Sequence, residues 1–266
     1  MRALWLTDIH LNFVEPQRLI AFRDELRAAR PDALLIGGDI AEGKDLIDYL
    51  TGLAQSVACP LYFVLGNHDF YFRSIWEIRA QVEQLCAREP RLVYLTHAAE
   101  PIALTPTVAL IGHDGWADGL AGDYEASDVM LNDYWLIAEL AHLEKHERWE
   151  KLQQLAQAAA DHLRKQLELA LANYPRVILL THVPPLRAAC WHQGQVSDDE
   201  WAPHFASPTI GNAVLDVMRA HPERELLILC GHTHGRGECR PLPNVEILTG
   251  GAIYGEPEIQ RVLELE

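Results

Sequence analysis

Positive charge is scarce in this sequence. Lysine and arginine number 22 against 38 aspartates and glutamates, a formal net charge of −16 with histidine neutral. So acidic a chain repels polyanions, which excludes long nucleic acid and anionic membrane surfaces as expected partners, since both require basic patches. A small anionic substrate would need strong local positive charge, for which bound metal is a source. Cysteine is also sparse. Cys59, Cys86, Cys190, Cys230 and Cys239 show no CxxC spacing, and five cannot all pair within one chain. Reduced thiols in a cytoplasmic protein are expected rather than a disulfide framework. Cys230, inside an apolar run, reads as a small buried hydrophobe. Long hydrophobic runs are missing: none approaches the roughly 20 residues of a bilayer span. Ala3–Leu6 is too short for the apolar stretch of a secretory leader. No repeat, low-complexity tract or Gly/Ser linker divides the chain, so residues 1–266 are expected to form a single domain.

What is present suits a globular core. Hydrophobic residues make up 49% and charged residues 23% of 266 positions, which excludes disordered, collagenous and fibrous classes. Short apolar runs alternate with helical patterns. Strands are expected at Ala3–Thr7, Ala33–Gly37 and Leu61–Leu65, and helices at Pro16–Ala29, Asp45–Val57 and about Ser74–Arg88. This alternation implies a parallel sheet covered on both faces. Arg91–Leu95, Pro101–Leu104 and Thr107–Gly112 read as short strands of hairpins or a meander. Gly115–Ser127 reads as a loop, and about Asn132 to Asn173 as helix in two pieces. Leu152, Ala156, Ala159, Leu163, Leu167 and Ala170 mark one buried face of that helix; residues 115–173 thus form a loop and helical insertion. Arg176–Thr181 is a strong buried strand, Val183–Pro208 a long loop and Ile210–Ala220 a helix. Glu225–Cys230 is another strand and Val245–Leu248 the last. The class is α/β, with two sheets.

The chemistry lies just after the strands. The first is followed by Asp8-Ile9-His10, the second by Gly38-Asp39, and the third by Gly66-Asn67-His68-Asp69. Arg176–Thr181 is followed by His182, and Glu225–Cys230 by Gly231-His232-Thr233-His234. Sites in open α/β sheets lie beyond the carboxyl ends of strands, so these groups are expected to converge at one rim. Imidazole nitrogen and carboxylate oxygen without thiolate suit Mn, Fe, Zn or Co. A carboxylate such as Asp39 can bridge two ions. In an extended backbone, Asp-x-His and His-x-His place both side chains on the same side. Gly38, Gly66 and Gly231 fit positions where the backbone turns tightly beside a site.

In this order the motifs resemble the calcineurin-like metallophosphoesterase superfamily. Its pattern is Asp-x-His, Gly-Asp, Gly-Asn-His-(Asp/Glu), a single His, then Gly-His-x-His, here running from Asp8 to His234. The resemblance implies a four-layer α/β/β/α sandwich of two mixed sheets and a centre of two divalent transition-metal ions. By motif, Asp8, His10 and His234 would hold one ion, and Asn67, His182 and His232 the other, with Asp39 bridging. His68 would act at the leaving group, with Asp69 orienting its ring. The implied activity is hydrolysis of phosphoester bonds by a water that the two ions activate.

The branch is narrowed by departures from other patterns. Asp39-Ile40-Ala41-Glu42-Gly43 lacks the Val-Asp-Arg-Gly continuation of protein serine/threonine phosphatases. Glu42 stands where purple acid phosphatases place a metal-binding Tyr. His68 stands where the lipid-sugar pyrophosphatases usually have Arg. What remains is most similar to small bacterial-type phosphodiesterases acting on small molecules such as (cyclic) nucleotides. The alternatives are a phosphomonoesterase or protein phosphatase, and a non-catalytic interaction scaffold of the same fold. Arg73, Arg187 and Arg236 either clamp a phosphate or form surface ion pairs. Trp116, Tyr124, Trp191, Trp201 and Phe205 either stack on a nucleobase or pack their loops. His113-Asp114 reads as a turn walling the pocket, and His97 as a loop histidine. Specificity is expected in loops 115–127 and 183–208.

Overall fold

The computed structural model describes residues 1–266. The first half runs β1 (Arg2–Leu6), α1 (Pro16–Ala28), β2 (Ala33–Gly37), α2 (Leu46–Ser56), β3 (Leu61–Val64), α3 (Ile75–Arg88), β4 (Leu92–Tyr94), β5 (Ile102–Ala103), β6 (Val108–His113) and α4 (Asp133–Leu136). The second half runs α5 (Lys145–Asn173), β7 (Arg176–Thr181), β8 (Trp191–His192), β9 (Gln195–Val196), α6 (Ala202–Phe205), α7 (Pro208–Arg219), β10 (Glu225–Cys230), β11 (Gly237–Leu242), β12 (Val245–Thr249) and β13 (Arg261–Glu264). One sheet has the order β13-β1-β2-β3-β4 and the other β11-β12-β10-β7-β6-β5. Both are mixed: β1 to β4 run parallel and β13 antiparallel to β1, while β6, β7, β10 and β12 run parallel between the antiparallel edges β5 and β11.

The pleat explains the layers. Successive strand residues face opposite ways, so Leu4, Leu6, Leu34 and Ile36 pack outward against Phe22, Leu26 and Leu50 of α1 and α2. Ala3, Trp5 and Leu35 face inward and meet Leu110, Ile178, Leu180 and Leu229 of the second sheet. That sheet's outer face holds Val177, Leu179 and Ile228 against α5 and α7. The central strands of both sheets are therefore apolar on both faces, which is why these segments read as continuous hydrophobic runs. The helix–sheet–sheet–helix sandwich is the expected one. On α5, Leu152, Ala156, Ala159, Leu163, Leu167 and Ala170 are all buried, as their spacing requires. No helix is long and apolar enough to cross a membrane.

Several expectations are corrected. β4 does not join a meander; it pairs parallel to β3 and closes the first sheet. Val245–Leu248 is not the last strand, because β13 follows it along β1. β11 has no counterpart among the expected strands. Residues 183–208 are not only loop: β8 and β9 form a small hairpin there and α6 follows. The hairpin turns at Gln193 and Gly194, both with positive φ (48° and 80°), the geometry of a tight two-residue turn.

Candidate functional site

The strand ends converge as expected, but by a different backbone route. Asp8 (φ 51°), His10 (39°), Asp39 (51°), His232 (71°) and His234 (56°) are all left-handed. Asp8-x-His10 and His232-x-His234 are therefore not extended, and their shared direction comes from two kinks rather than from strand periodicity. Left-handed non-glycine residues cost about 1–2 kcal/mol each. Such strain persists only where surroundings impose it, and it clusters at functional sites. Here Asp8 N–H donates to Gly38 O (3.0 Å) and His10 N–H to Asp39 O (2.9 Å), locking the two loops together. Gly38 (φ 90°) has no room for a side chain, since a Cβ would lie 2.5 Å from Gly66 N. At Gly231 a Cβ would lie 1.9 Å from Asp8 Oδ2.

Asp8, His10, Asp39 and His234 each bring a ligand atom within 4.8 Å of the others. His10 Nε2 lies 3.1 Å from His234 Nε2 and 3.6 Å from Asp39 Oδ2. The other Asp39 oxygen, Oδ1, faces His182 Nε2 at 3.5 Å. Asn67 Oδ1 lies 3.0 Å from both His182 Nε2 and His232 Nδ1. Asp39 thus stands between two groups of potential donor atoms, with one oxygen toward each.

Neighbouring groups orient these side chains. His182 Nδ1 bonds to Gly37 O (2.9 Å), and His232 Nε2 approaches His204 O (3.4 Å), which turns the opposite ring nitrogen of each toward the cluster. Asp8 accepts from Thr7 Oγ1 (2.6 Å) and from His232 N–H (2.9 Å). Asp39 Oδ1 accepts from His68 N–H (2.9 Å).

The cluster is short of positive charge. Burial, and then the negative charges of Asp8 and Asp69, hold the Asp39 carboxyl well above the usual carboxylate range. Burial, and then the His68 ring, hold His10 well below the ordinary imidazole value; burial and His182 push His232 down to about 3. His10 Nδ1 is buried without a partner. Crowded carboxylates and imidazoles with no lysine or arginine among them are a donor set that fits divalent cations.

His68 and Asp69 separate in role. The His68 ring stacks on Tyr71 (4.3 Å, 29°) and lies 4.6 Å from the His10 ring, while its buried Nδ1 has no hydrogen-bond partner. Asp69 does not orient that ring. Its Oδ1 accepts from Ile40 N–H (2.8 Å) and Ala41 N–H (2.9 Å), and its Oδ2 from Gly66 N–H (2.8 Å). Both oxygens are engaged in tying the Asp39 loop to the Asn67 loop. Asp69→Ala would strand these buried amides at about 1–3 kcal/mol each, so a loss of roughly 3 kcal/mol or more is expected in urea unfolding. An unchanged midpoint and slope would show that Asp69 does not brace the loops.

A cleft of about 220 Å³ opens over Asp39, Asn67, His68, His232 and His234. Tyr254, Phe205, His192 and Asp133 add to its walls, and no lysine or arginine lines it. Tyr254 lies 4.6 Å from His10, and Phe205 lies 5.2 Å from His232 and stacks on Trp201 (5.7 Å, 11°). Tyr254, His192 and Asp133 escape a sequence reading because no motif surrounds them.

The remaining candidates lie elsewhere. Arg187 pairs with Asp199 and Arg236 with Glu258, while Arg73 is exposed; none lines the cleft. Trp116 and Tyr124 are core residues, and Trp191 packs over Gly237. Asp114 lines a small enclosed space beside Asn67, His182 and His232 but not the open cleft, and is bonded to Leu65 N–H (2.8 Å), Tyr94 OH (2.6 Å), Thr96 Oγ1 (2.7 Å) and Arg79. His113 faces His162, and His97 pairs with Glu83.

A four-layer sandwich whose facing strand ends gather aspartates, histidines and an asparagine defines a metallophosphoesterase architecture. The chain belongs to the calcineurin-like phosphoesterase family, whose model matches residues 1–236. No curated protein matches it in sequence. Among solved structures it is similar to a phosphopantetheinyl hydrolase from Mycobacterium tuberculosis, with TM-score 0.66, 14% identity and coverage of 95% of this chain and 89% of that one. It is also similar to a dimetal phosphatase from Danio rerio (TM-score 0.57, 16% identity, 96% and 88% covered). A third is the protein TT1561 of Thermus thermophilus (TM-score 0.55, 18% identity, 94% and 88% covered). At these identities the likeness establishes the fold alone.

Proposed function

We propose that the protein is a dinuclear metal-dependent phosphodiesterase acting on small molecules, nucleotides and cyclic nucleotides among them. Asp8, His10 and His234 would hold one divalent ion, Asn67, His182 and His232 the second, and Asp39 would serve both. Bound there, such ions supply positive charge to the phosphoryl oxygens and lower the pKa of water. The chain's own residues do the rest. His68 gives a hydrogen bond or a proton to the departing oxygen. Tyr254 and Phe205 bound the cleft on either side of the cluster. In this reading residues 1–266 work as one domain, and the insertion at 115–173 carries Asp133 to the cleft.

The observation that carries the diester preference is the absence of lysine and arginine from the cleft. A phosphomonoester dianion brings about one more charge than a diester and finds no side chain to neutralise it. The formal charge of −16 adds repulsion of long polyanions. After Mn(II) reconstitution, specific activity should fall in the order nitrophenyl diester or cyclic nucleotide, then phosphopeptide, then plasmid DNA. Faster turnover of the phosphopeptide, or efficient nicking of the plasmid, would overturn the substrate reading, provided that Asp39→Asn abolishes it and so excludes contamination.

A further inference from the structure

We propose that Asp133 is a positioning residue that fixes which end of the Asn67 side chain faces the metal centre. The inference rests on the dinuclear reading above. An asparagine amide carries an oxygen at one end and an NH₂ group at the other, and only the oxygen can ligate a cation. Free rotation of the amide would present the wrong end in part of the population. Asp133 removes that freedom. It is buried, and its Oδ1 accepts from Asn67 Nδ2 at 2.8 Å. A carboxylate only accepts, so the flipped amide would set oxygen against oxygen there. The Asn67 oxygen is thereby turned toward His182 Nε2 and His232 Nδ1, 3.0 Å from each.

Tyr71 supports the arrangement. Its hydroxyl donates to the same Asp133 Oδ1 at 2.8 Å and lies 3.3 Å from Asn67 Nδ2. Asp133 comes from α4, 66 positions from Asn67 in the chain. The contact therefore exists only once the insertion has docked on the first sheet. The backbone bridge between Arg73 and Ile137 and the bond from Phe72 N–H to Leu136 O (2.7 Å) fasten that docking. Asp133 touches none of Asp8, His10 and His234 by hydrogen bond, so its effect belongs to one ion and not the other.

The test is Mn(II) binding to the full chain, followed by calorimetry and by metal analysis after equilibrium dialysis. Wild type should bind two ions. Asp133→Ala should weaken one of them by about 10–100-fold, the usual consequence of losing a group that orients a ligand, and leave the other within about threefold. Asp133→Asn keeps the shape and can bond Asn67 in either sense, so its affinity should fall between the two. The exchange Asn67→Asp with Asp133→Asn preserves total charge: the new carboxylate offers oxygen from either end, and the new amide donates to it. That double variant should recover affinity to within about threefold of wild type, a rescue that a role in packing alone would not produce. The proposal is overturned if Asp133→Ala and Asp133→Asn both bind two ions as wild type does. It is equally overturned if both ions weaken together, or if the exchange binds no better than Asp133→Ala. Failure of wild type to bind Mn(II) would instead refute the dinuclear reading itself, and this inference with it.

Discussion

Asp39→Asn is expected to cut turnover of a nitrophenyl diester by about 10³-fold or more, above the 10²–10³ typical of one lost electrostatic contact. The two oxygens of Asp39 have separate duties: Oδ2 faces His10 at 3.6 Å, and Oδ1 faces His182 at 3.5 Å while accepting from His68 N–H. An amide keeps one oxygen and turns an NH₂ group toward the other half. It also removes the negative charge that lies between the two groups of ligands. Metal content should therefore fall at both positions, whereas His10→Ala should empty mainly the half formed with Asp8 and His234. Unfolding should not be the cause. A folded-state pKa raised above the unfolded value of 3.8 stabilises only at low pH, and that contribution is lost as pH rises through the folded value. At neutral pH the metal-free protein therefore bears the cost of burying this acid beside Asp8 and Asp69, and the asparagine relieves it. The metal-free variant should melt at the wild-type temperature or above. Retention of two ions and of most activity by Asp39→Asn would remove the bridging role, as would full wild-type activity with a single ion bound.

The candidate ligands at the strand ends are legible in the sequence because each directly follows an apolar run whose length and composition mark a buried strand. That holds for Asp8 after β1, Asp39 after β2 and His182 after β7. What escapes notice follows a physical pattern. β11 and β13 are sheet edges, with one face open to water, so Gly237–Leu242 and Arg261–Glu264 mix charge with apolar residues and lack a continuous run. β4 is recognisable as a strand, but its partner is set by tertiary packing against β3, which three residues cannot announce. The left-handed kinks at Asp8 and His232 break the period-two rule because the loops bond to one another rather than continuing a ladder. Asp69 reads as a partner of its neighbour His68, yet its carboxylate reaches backbone amides 28 and 29 positions away. Asp133 is a lone acid in an undistinguished segment, and only the folded chain gives it a partner.

His68→Ala is expected to separate chemistry from metal binding. The hydrogen bond His68 makes to the candidate ligands is its backbone N–H to Asp39 Oδ1 (2.9 Å), which alanine retains. Metal content should stay near that of wild type. The lost group is the ring, which lines the cleft and is held by its stack on Tyr71. Its removal withdraws a hydrogen-bond or proton donor from the departing oxygen, and the cost depends on how much that oxygen needs one. A methyl phosphodiester must expel a strongly basic methoxide, and its turnover should fall by about 10²–10⁴-fold. Nitrophenolate departs as a stable anion, so that substrate should lose about tenfold or less, well under the contribution of an effective general acid. The measurement is a series of diesters of graded leaving-group acidity, with kcat/KM plotted against that acidity for both proteins. The variant should show the steeper dependence. Parallel lines, with every leaving group slowed equally, would move His68 from the leaving group to substrate binding. Loss of metal on substitution would make it part of the centre instead.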